Sequence, residues 1–298
     1  MGEAADSGNP VTETHCTTGR GDRLFARRWQ PSDQPVRGCV IIVHGLGEHG
    51  GRYAALARQL ACAGWASLAA DLEGHGNSPG RRGHVTSYFT LLQDIDAMRL
   101  TAKEAMPPVP QVLLGHSMGG NLAANYVLRR AELDPAIGEL AGLVLSGPMF
   151  LPSNPPDRKQ IFAAWLTGYL IPWWTVRAPV DREKLSRNPS NATALRADPL
   201  AHSRISLYLA TQLLAQGRFA LDHAAEINLP TLIMHGEDDP ITSYRASEAF
   251  ATRAGKQAQF VSFPKMLHEI FHETDATVVY ETLQSWLSRR ALTSLGFS

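Results

Sequence analysis

Two stretches of the chain fit the pattern Gly-x-Ser-x-Gly, which can carry a nucleophilic serine: "GNSPG" (76–80) and "GHSMG" (115–119). Such a serine stands on a tight turn between a strand and a helix, so that its hydroxyl projects from the carboxyl edge of a sheet. The next residue must offer a backbone N–H, because that group stabilises the oxyanion formed during acyl transfer. These two requirements separate the two stretches.

The serine of the first stretch, Ser78, meets neither requirement. Pro79 follows it, and proline has no N–H to donate. Ser78 also lies well past a predicted strand that ends at Asp71, inside the glycine-rich loop "LEGHGNSPGRRG". We therefore predict that Ser78 is a turn residue without a catalytic role.

The serine of the second stretch, Ser117, meets both requirements. The apolar run "QVLLG" (111–115) predicts a short buried strand, and "GGNLAANYVLRR" predicts a helix that begins directly after the serine. Met118 supplies the N–H, and two glycines after it allow the helix to pack closely. The pattern predicts Ser117 as the nucleophile of a hydrolase.

A catalytic serine needs a base to accept its proton and an acid to orient that base, in the chain order serine, acid, histidine. The predicted strand "TLIMHG" is followed by Glu237, Asp238 and Asp239, and the strand "FVSF" is followed by His268. We prefer Asp239 because its turn would direct it across the sheet edge, although helix capping by Asp238 or Asp239 stays open. His268 is preferred to His272, which we expect on the surface of the next helix.

The elements that must position these residues alternate between strands and helices. Such alternation predicts βαβ units and a mainly parallel sheet, hence an α/β fold. The pattern breaks between residues 149 and 228, where we expect helical pieces and no clear strand. We predict an α/β core from residues 1–148 and 229–298, interrupted by a helical lid insertion (residues 149–228). Residues 1 to about 21 are predicted to be a flexible lead-in.

Composition excludes several classes of protein. Lys plus Arg equals Asp plus Glu, 28 against 28, so charge gives no reason to expect a nucleic-acid partner. Three cysteines, Cys16, Cys39 and Cys62, are too few for a disulfide framework. The amino terminus lacks the basic start and apolar core of a signal peptide. We expect a cytoplasmic protein with reduced thiols and no cofactor.

Four histidines, His44, His49, His75 and His84, crowd two predicted loops. Neither an H-E-x-x-H motif nor a cysteine-based spacing accompanies them, and those are the usual signs of a zinc site. We therefore predict that they are loop histidines satisfied by hydrogen bonds, and that the protein binds no metal.

Five blocks of sequence occur in a familiar order: "HGLGEHGGRY" (44–53), "DLEGHGNSPGRRG" (71–83), "GHSMGG" (115–120), "HGEDD" (235–239) and "MLHE" (266–269). In these blocks the chain resembles the monoacylglycerol lipases, within the α/β-hydrolases that also include lysophospholipases and proteins labelled as serine aminopeptidases. The resemblance spans most of the chain. It implies the α/β-hydrolase fold, with the insertion where the family carries its lid.

The resemblance also implies roles for residues that spacing alone does not assign. The oxyanion hole would use the backbone N–H groups of Leu46 and Met118. Glu48 and Arg52 would lie near the glycerol head of the substrate, although a structural salt bridge between them is an equal alternative.

The lid insertion contains the apolar run "IFAAWLTGYLIPWW" (161–174), which is too short to span a membrane. Its tryptophans, including Trp165 and Trp173, could line an acyl tunnel, dock transiently on a lipid surface, or pack the lid onto the core. An apolar lid favours an acyl chain over a charged peptide.

We therefore predict a serine ester hydrolase acting on medium-chain or long-chain acyl esters, with monoacylglycerol as the leading candidate. Its lid would bring a cytoplasmic enzyme into peripheral contact with membranes. The alternatives are a lysophospholipase, a broad short-chain carboxylesterase, an aminopeptidase and a non-catalytic binding protein with a hydrolase fold. The aminopeptidase alternative would need an acidic site for the free amine of its substrate.

Overall fold

The computed structural model describes residues 11–129, 140–178 and 180–294. The strands are β1 (Val11–Thr17), β2 (Arg23–Trp29), β3 (Gly38–Val43), β4 (Trp65–Ala70), β5 (Gln111–His116), β6 (Gly142–Ser146), β7 (Thr175–Arg177), β8 (Arg204–Ser206), β9 (Thr231–Gly236) and β10 (Ala258–Phe263). The α-helices are α1 (Ala54–Cys62), α2 (Tyr88–Ala105), α3 (Met118–Leu128), α4 (Arg158–Leu170), α5 (Pro189–Ala197), α6 (Leu207–Asp222), α7 (Tyr244–Ala254) and α8 (Thr277–Ser294).

One sheet dominates the described part of the chain, with the strand order β1-β2-β4-β3-β5-β6-β9-β10. In this sheet β2 runs antiparallel to both of its neighbours, β1 and β4. All the other neighbouring strands, from β4 to β10 in sheet order, are parallel. The carboxyl ends of β3, β5, β9 and β10 therefore meet at one edge of the sheet. This arrangement confirms the predicted α/β class with a mainly parallel sheet.

Helices cover both faces of the sheet, which explains why its central strands are mostly apolar. Every residue of β3, β4, β5 and β9 is buried. One face packs against α1 and α8, and the other against α2, α3 and α7, with α6 packed on α3. A sheet held from both sides gives a rigid base for side chains at its carboxyl edge.

The expectation of a flexible lead-in up to residue 21 is wrong for residues 11–17, which form β1. This strand pairs antiparallel with β2 along its full length, from Val11 opposite Trp29 to Thr17 opposite Arg23. Only the side chain of Cys16 is buried, so the strand lies at the sheet edge with most of its surface in water. Valine and threonine favour the extended conformation, and their enrichment here was the available signal.

The expectation that residues 149–228 hold no strand is also wrong. β7 and β8 pair antiparallel, with Val176 opposite Ile205, but each has only three residues and is too short to show an alternating pattern. The long helix α6 begins at Leu207, directly after β8. α6 packs against α3, where the Asn121 side chain donates to the Leu213 carbonyl at 3.0 Å. The division into core and lid insertion stays a prediction.

Candidate active site

Ser117 occupies the turn between β5 and α3 and has a backbone conformation that is rare for a residue with a side chain. Its φ is 53° and its ψ is −116°. Such a conformation is strained and persists only where neighbouring structure enforces it. The Ser117 N–H donates to the Ser146 carbonyl at 3.0 Å, and the Ser117 carbonyl accepts from the Asn121 N–H at 3.1 Å. These bonds hold the turn at the carboxyl edge of the sheet.

Glycines surround this turn because the main chain of β3, β5 and α3 meets there without room for side chains. A Cβ at Gly119 would overlap the Val43 carbonyl, and one at Gly115 would overlap the Gly119 carbonyl. A Cβ at Gly120 would lie 2.8 Å from the Pro148 side chain. The small residues around Ser117 are therefore required by packing.

Asp239 and His268 follow the neighbouring parallel strands β9 and β10 and are joined by a hydrogen bond. The Nδ1 atom of His268 lies 2.7 Å from Oδ2 of Asp239, and both side chains are buried. The other carboxylate oxygen accepts the backbone N–H groups of Ile241 at 2.7 Å and Thr242 at 3.0 Å. The carboxylate is thus fixed on both sides.

The electrostatics of this pair suit a charged acid and a basic imidazole. Burial alone would raise the pKa of Asp239, but His268 and His235 hold that pKa well below its usual range. Burial lowers the pKa of His268, and the adjacent Asp239 more than offsets this effect, so the pKa of His268 is raised. Because Nδ1 donates to the carboxylate, Nε2 is the nitrogen that can accept a proton.

The other two acids after β9 have different surroundings. Glu237 and Asp238 are exposed, and Glu237 accepts the Ser262 hydroxyl at 2.8 Å. Ser243 caps the following helix, α7, through its own side chain. Of the three candidates, Asp239 is the one that the structure brings to His268.

His272 lies in a 3₁₀ turn before α8 and is half-buried, so the expectation of a surface position on the next helix is wrong. Its ring centroid lies 6.3 Å from that of Tyr53. Burial lowers the pKa of His272, which keeps its imidazole neutral.

Leu46 and Met118 border the same cavity as Ser117 and His268. Met118 is the first residue of α3, where an α-helix leaves its N–H groups without partners inside the helix. Leu46 follows Gly45, at which a Cβ would lie 3.2 Å from the Ser117 Cβ. The loop after β3 therefore passes directly beside the serine.

Glu48 and Arg52 form a buried ion pair, with Arg52 Nη1 2.6 Å from Glu48 Oε2. Arg52 also binds both carboxylate oxygens of Glu269, at 2.8 and 2.7 Å, and its Nη2 donates to Asn191 at 2.9 Å. Burial raises the pKa of Glu48, but Arg52 together with His116 and His44 outweighs burial and lowers that pKa to about 2. The predicted salt bridge is present, and it lies on the cavity wall.

Sequence analysis missed two residues of this region, Glu269 and His235. Glu269 directly follows His268, and a carboxylate beside a histidine at a strand end was the signal that could have found it. His235 ends the apolar part of β9, and its Nε2 lies 3.0 Å from Oδ2 of Asp239. Its position four residues before Asp239 carried no comparable signal.

The cavity beside Ser117 has a volume of about 830 Å³. Its walls are mostly apolar, and they include Met149, Ile161, Leu185, Leu195, Leu213 and Ile241. Pockets of this size and character enclose small organic ligands.

Trp165 and Trp173 do not form the cavity wall. They are 52% and 53% exposed, and α4 lines the cavity with Gln160, Ile161 and Ala164 instead. In this structure neither tryptophan borders the cavity, and a role for them in substrate binding stays a prediction. They belong to a continuous stretch of exposed apolar side chains, which we term the apolar lid surface: Phe162, Trp165, Leu166, Tyr169, Leu170, Ile171, Trp173, Trp174 and Val176.

Three of the four loop histidines, His44, His49 and His75, have hydrogen-bond partners within the protein, whereas Nε2 of His75 and Nδ1 of His84 are buried without one among the described residues. His44 Nε2 accepts the Leu72 N–H at 2.9 Å, His49 Nε2 lies 2.7 Å from Asp198, and His75 Nδ1 donates to the Glu73 carbonyl at 3.0 Å. Across the described ranges, no group of three or more His, Cys, Asp or Glu side chains could hold a metal ion.

The sequence matches the family described as serine aminopeptidase, S33, over residues 34–275. A monoacylglycerol lipase from Mycolicibacterium smegmatis is 30% identical over 269 residues, which span 90% of this chain and 93% of the relative. Human monoglyceride lipase is 28% identical, over 94% of this chain and 91% of the relative. The crystal structure of Paleococcus ferrophilus monoacylglycerol lipase has a TM-score of 0.80 at 31% identity, covering 90% of this chain and 99% of that one.

Proposed function

Since this chain belongs to the family described as serine aminopeptidase, S33, and is a serine ester hydrolase, we propose that it cleaves monoacylglycerols into glycerol and a fatty acid. The observation that carries the proposal is the joint position of Ser117 and His268 on the wall of an apolar cavity of about 830 Å³. The relatives named as monoacylglycerol and monoglyceride lipases support the choice of head group.

In the proposed mechanism Ser117 attacks the ester carbonyl while Nε2 of His268 accepts its proton. The N–H groups of Leu46 and Met118 stabilise the oxyanion, and Asp239 keeps the imidazole in the required tautomer. His268 then protonates the departing glycerol oxygen, which leaves an acyl group on Ser117. A water molecule, deprotonated by His268, releases the fatty acid and restores the serine.

The apolar walls support a medium or long acyl chain, because burying each methylene group contributes about 0.8 kcal/mol to binding. We propose that Glu48 and Arg52 lie beside the glycerol head. Since Arg52 is hydrogen-bonded to Glu48, Glu269 and Asn191, these residues would shape the head-group wall through a fixed network. A lysophospholipase and a short-chain carboxylesterase remain the alternatives within the same mechanism.

The test compares initial hydrolysis rates for 1-monooleoylglycerol, dioleoylglycerol, lysophosphatidylcholine, p-nitrophenyl butyrate and an aminoacyl p-nitroanilide, with Ser117→Ala as the blank. We expect monooleoylglycerol to be preferred and the blank to be inactive. Preference for lysophosphatidylcholine, butyrate or the anilide would replace the proposed substrate by the corresponding alternative. Inactivity on all five would contradict the proposal.

We further propose a cytoplasmic enzyme that meets its substrate at a lipid surface through the apolar lid surface. Among the residues described, no helix is both long and apolar enough to cross a membrane. The proposed contact is therefore peripheral, with aromatic side chains entering the interface between head groups and acyl chains.

A further inference from the structure

Two histidines share one oxygen of the buried Asp239 carboxylate. Nδ1 of His268 and Nε2 of His235 lie 2.7 and 3.0 Å from Oδ2, and the Thr242 hydroxyl donates to the same oxygen at 2.7 Å. His235 is fully buried in β9 and lines no part of the cavity. It therefore reaches the reacting atoms through Asp239, and through the Thr242 hydroxyl, which lies 3.4 Å from Nε2 of His235 and 3.3 Å from Nδ1 of His268.

The hydrogen-bond partners of His235 fix the nitrogen that carries its proton. An ionised carboxylate only accepts hydrogen bonds, so Nε2 must be the donor to Asp239. Nδ1 of His235 lies 2.9 Å from the hydroxyl of Ser247, a buried residue of α7. A neutral imidazole with its proton on Nε2 has a lone pair on Nδ1, and Ser247 can donate to it.

We propose that His235 is a positioning residue of the catalytic pair, which holds Oδ2 of Asp239 in line with Nδ1 of His268 and takes up part of the carboxylate charge. Ser247 supports it by stabilising the donor tautomer. The inference rests on the proposed roles of Ser117, Asp239 and His268. It extends the hydrogen-bonded chain from α7 through β9 to the loop after β10.

The proposal has a consequence for the basicity of His268. A carboxylate oxygen with several donors distributes its charge among them, so the removal of one donor strengthens its interaction with the others. Without His235, Asp239 would stabilise the imidazolium form of His268 more strongly in the resting enzyme. A larger fraction of His268 is then protonated at a given pH and cannot act as a base. The acid limb of the kcat/KM profile, where activity rises as His268 loses its proton, therefore moves to higher pH.

The other titratable groups near Asp239 and His268 do not change charge in the pH range of the acid limb. Glu48 and Glu269 raise the pKa of His268, but the pKa of each is lowered by Arg52, so both stay ionised near neutral pH. The ring centroid of His116 lies 4.8 Å from that of His268, and burial lowers the pKa of His116 to about 4. On the far side of His235, the Tyr244 ring packs edge-on at 5.8 Å.

The experiment compares His235→Phe, which removes the hydrogen bonds to Asp239 and Ser247 and the contact with Thr242, with His235→Gln, whose amide can donate to Asp239 and accept from Ser247. Profiles of kcat and kcat/KM for p-nitrophenyl butyrate are measured from about pH 5 to 9, around the titration of histidine. In His235→Phe we expect kcat to fall about 10-fold with KM unchanged, and the acid limb to rise by roughly half a pH unit or more. His235→Gln should restore both values to near those of the wild type.

An acid limb at the wild-type pH in folded His235→Phe would overturn the inference, even if activity is reduced. A merely structural role would lower the folded fraction, and hence the rate at every pH, without moving the limb. If His235→Phe does not fold, Ser247→Ala is decisive: a smaller upward shift of the limb supports the inference, and an unchanged limb overturns it. Ser117→Ala tests the proposed function separately. Activity in that variant would overturn both, whereas an inactive Ser117→Ala with an unmoved limb overturns the role of His235 alone.

Discussion

Ser117 and Ser78 share a five-residue pattern but have opposite surroundings. Ser117 lines the cavity on a strained turn, whereas Ser78 is buried in a loop. The Ser78 hydroxyl donates to the Asp71 carbonyl and accepts the Phe25 N–H at 2.9 Å, which ties the loop to β2. Ser78 is therefore part of the structural framework.

These surroundings predict opposite effects of the two alanine substitutions. Ser117→Ala should abolish turnover and leave the melting temperature unchanged. Ser78→Ala should retain turnover but destabilise the fold by about 1–3 kcal/mol, since a buried N–H and carbonyl lose their partner. Ester hydrolysis and thermal unfolding, measured on both variants, check the expectation. Loss of activity in folded Ser78→Ala would contradict the choice of nucleophile.

The raised pKa of His268 predicts the pH dependence of the wild-type enzyme. His268 must be neutral to accept the serine proton, so kcat/KM falls as pH falls through its pKa. Because Asp239 raises that pKa above 6.5, half-maximal kcat/KM should lie above pH 6.5. Asp239→Asn removes the charge and should move the limb to lower pH while reducing kcat. A limb at or below pH 6.5 in the wild type would contradict the assignment.

At the residue scale, the sequence identified side chains that follow a strand end directly. Ser117, Asp239 and His268 each come just after an apolar strand, so the parallel sheet could be used to predict that they meet. Their catalytic roles stay predictions until the substitutions are made. Contacts between distant elements, such as Arg52 with Asn191 or His235 with Ser247, depend on tertiary packing and left no local pattern.

At the scale of elements, too, the sequence predicts features that leave a local pattern and misses those that depend on tertiary packing. Long buried strands and amphipathic helices were predictable because periodicity reports burial, and the family match and the crystal structure of the relative confirm the α/β-hydrolase fold. β1, β7 and β8 left no burial pattern, because an edge strand and three-residue strands bury too few side chains; in β1 the content of valine and threonine was the one signal.

The apolar lid surface predicts an effect that depends on the physical state of the substrate. The double variant Trp165→Ser, Trp173→Ser removes two large apolar groups from the apolar lid surface, so we expect weaker cosedimentation with phospholipid vesicles and a several-fold higher KM for dispersed monooleoylglycerol. Hydrolysis of soluble p-nitrophenyl butyrate should be unchanged. Phe89→Ser, at an exposed aromatic residue of α2, is the matched control. Equal vesicle binding by the double variant and the wild type would contradict a lipid-docking role.

At the scale of the whole molecule, Arg52 connects three separate parts of the chain. It joins Glu48 in the loop after β3, Glu269 after β10, and Asn191 in α5. Truncating one partner of a buried ion pair leaves charge without compensation, at a cost of about 3–5 kcal/mol. Arg52→Gln should therefore lower the melting temperature by roughly 10 °C.

The control for this variant is Arg196→Gln, which removes an exposed pair with Glu183. Exposed pairs contribute little, so its melting temperature should stay close to that of the wild type. Equal shifts in the two variants, measured by scanning calorimetry, would contradict a connecting role for Arg52.

The close packing of main-chain atoms around Ser117 limits which positions of this protein can change in evolution. A side chain at Gly115, Gly119 or Gly120 would clash with neighbouring atoms. Substitutions at the turn that carries Ser117 are therefore sterically excluded. The cavity walls, by contrast, come largely from residues 149–214, where side chains can change size without touching that turn. A saturation library should therefore divide sharply: near-total intolerance at the three glycines, and graded changes in acyl-chain preference along the walls. Acyl-chain selectivity could then change in evolution while the hydrolytic reaction stays the same.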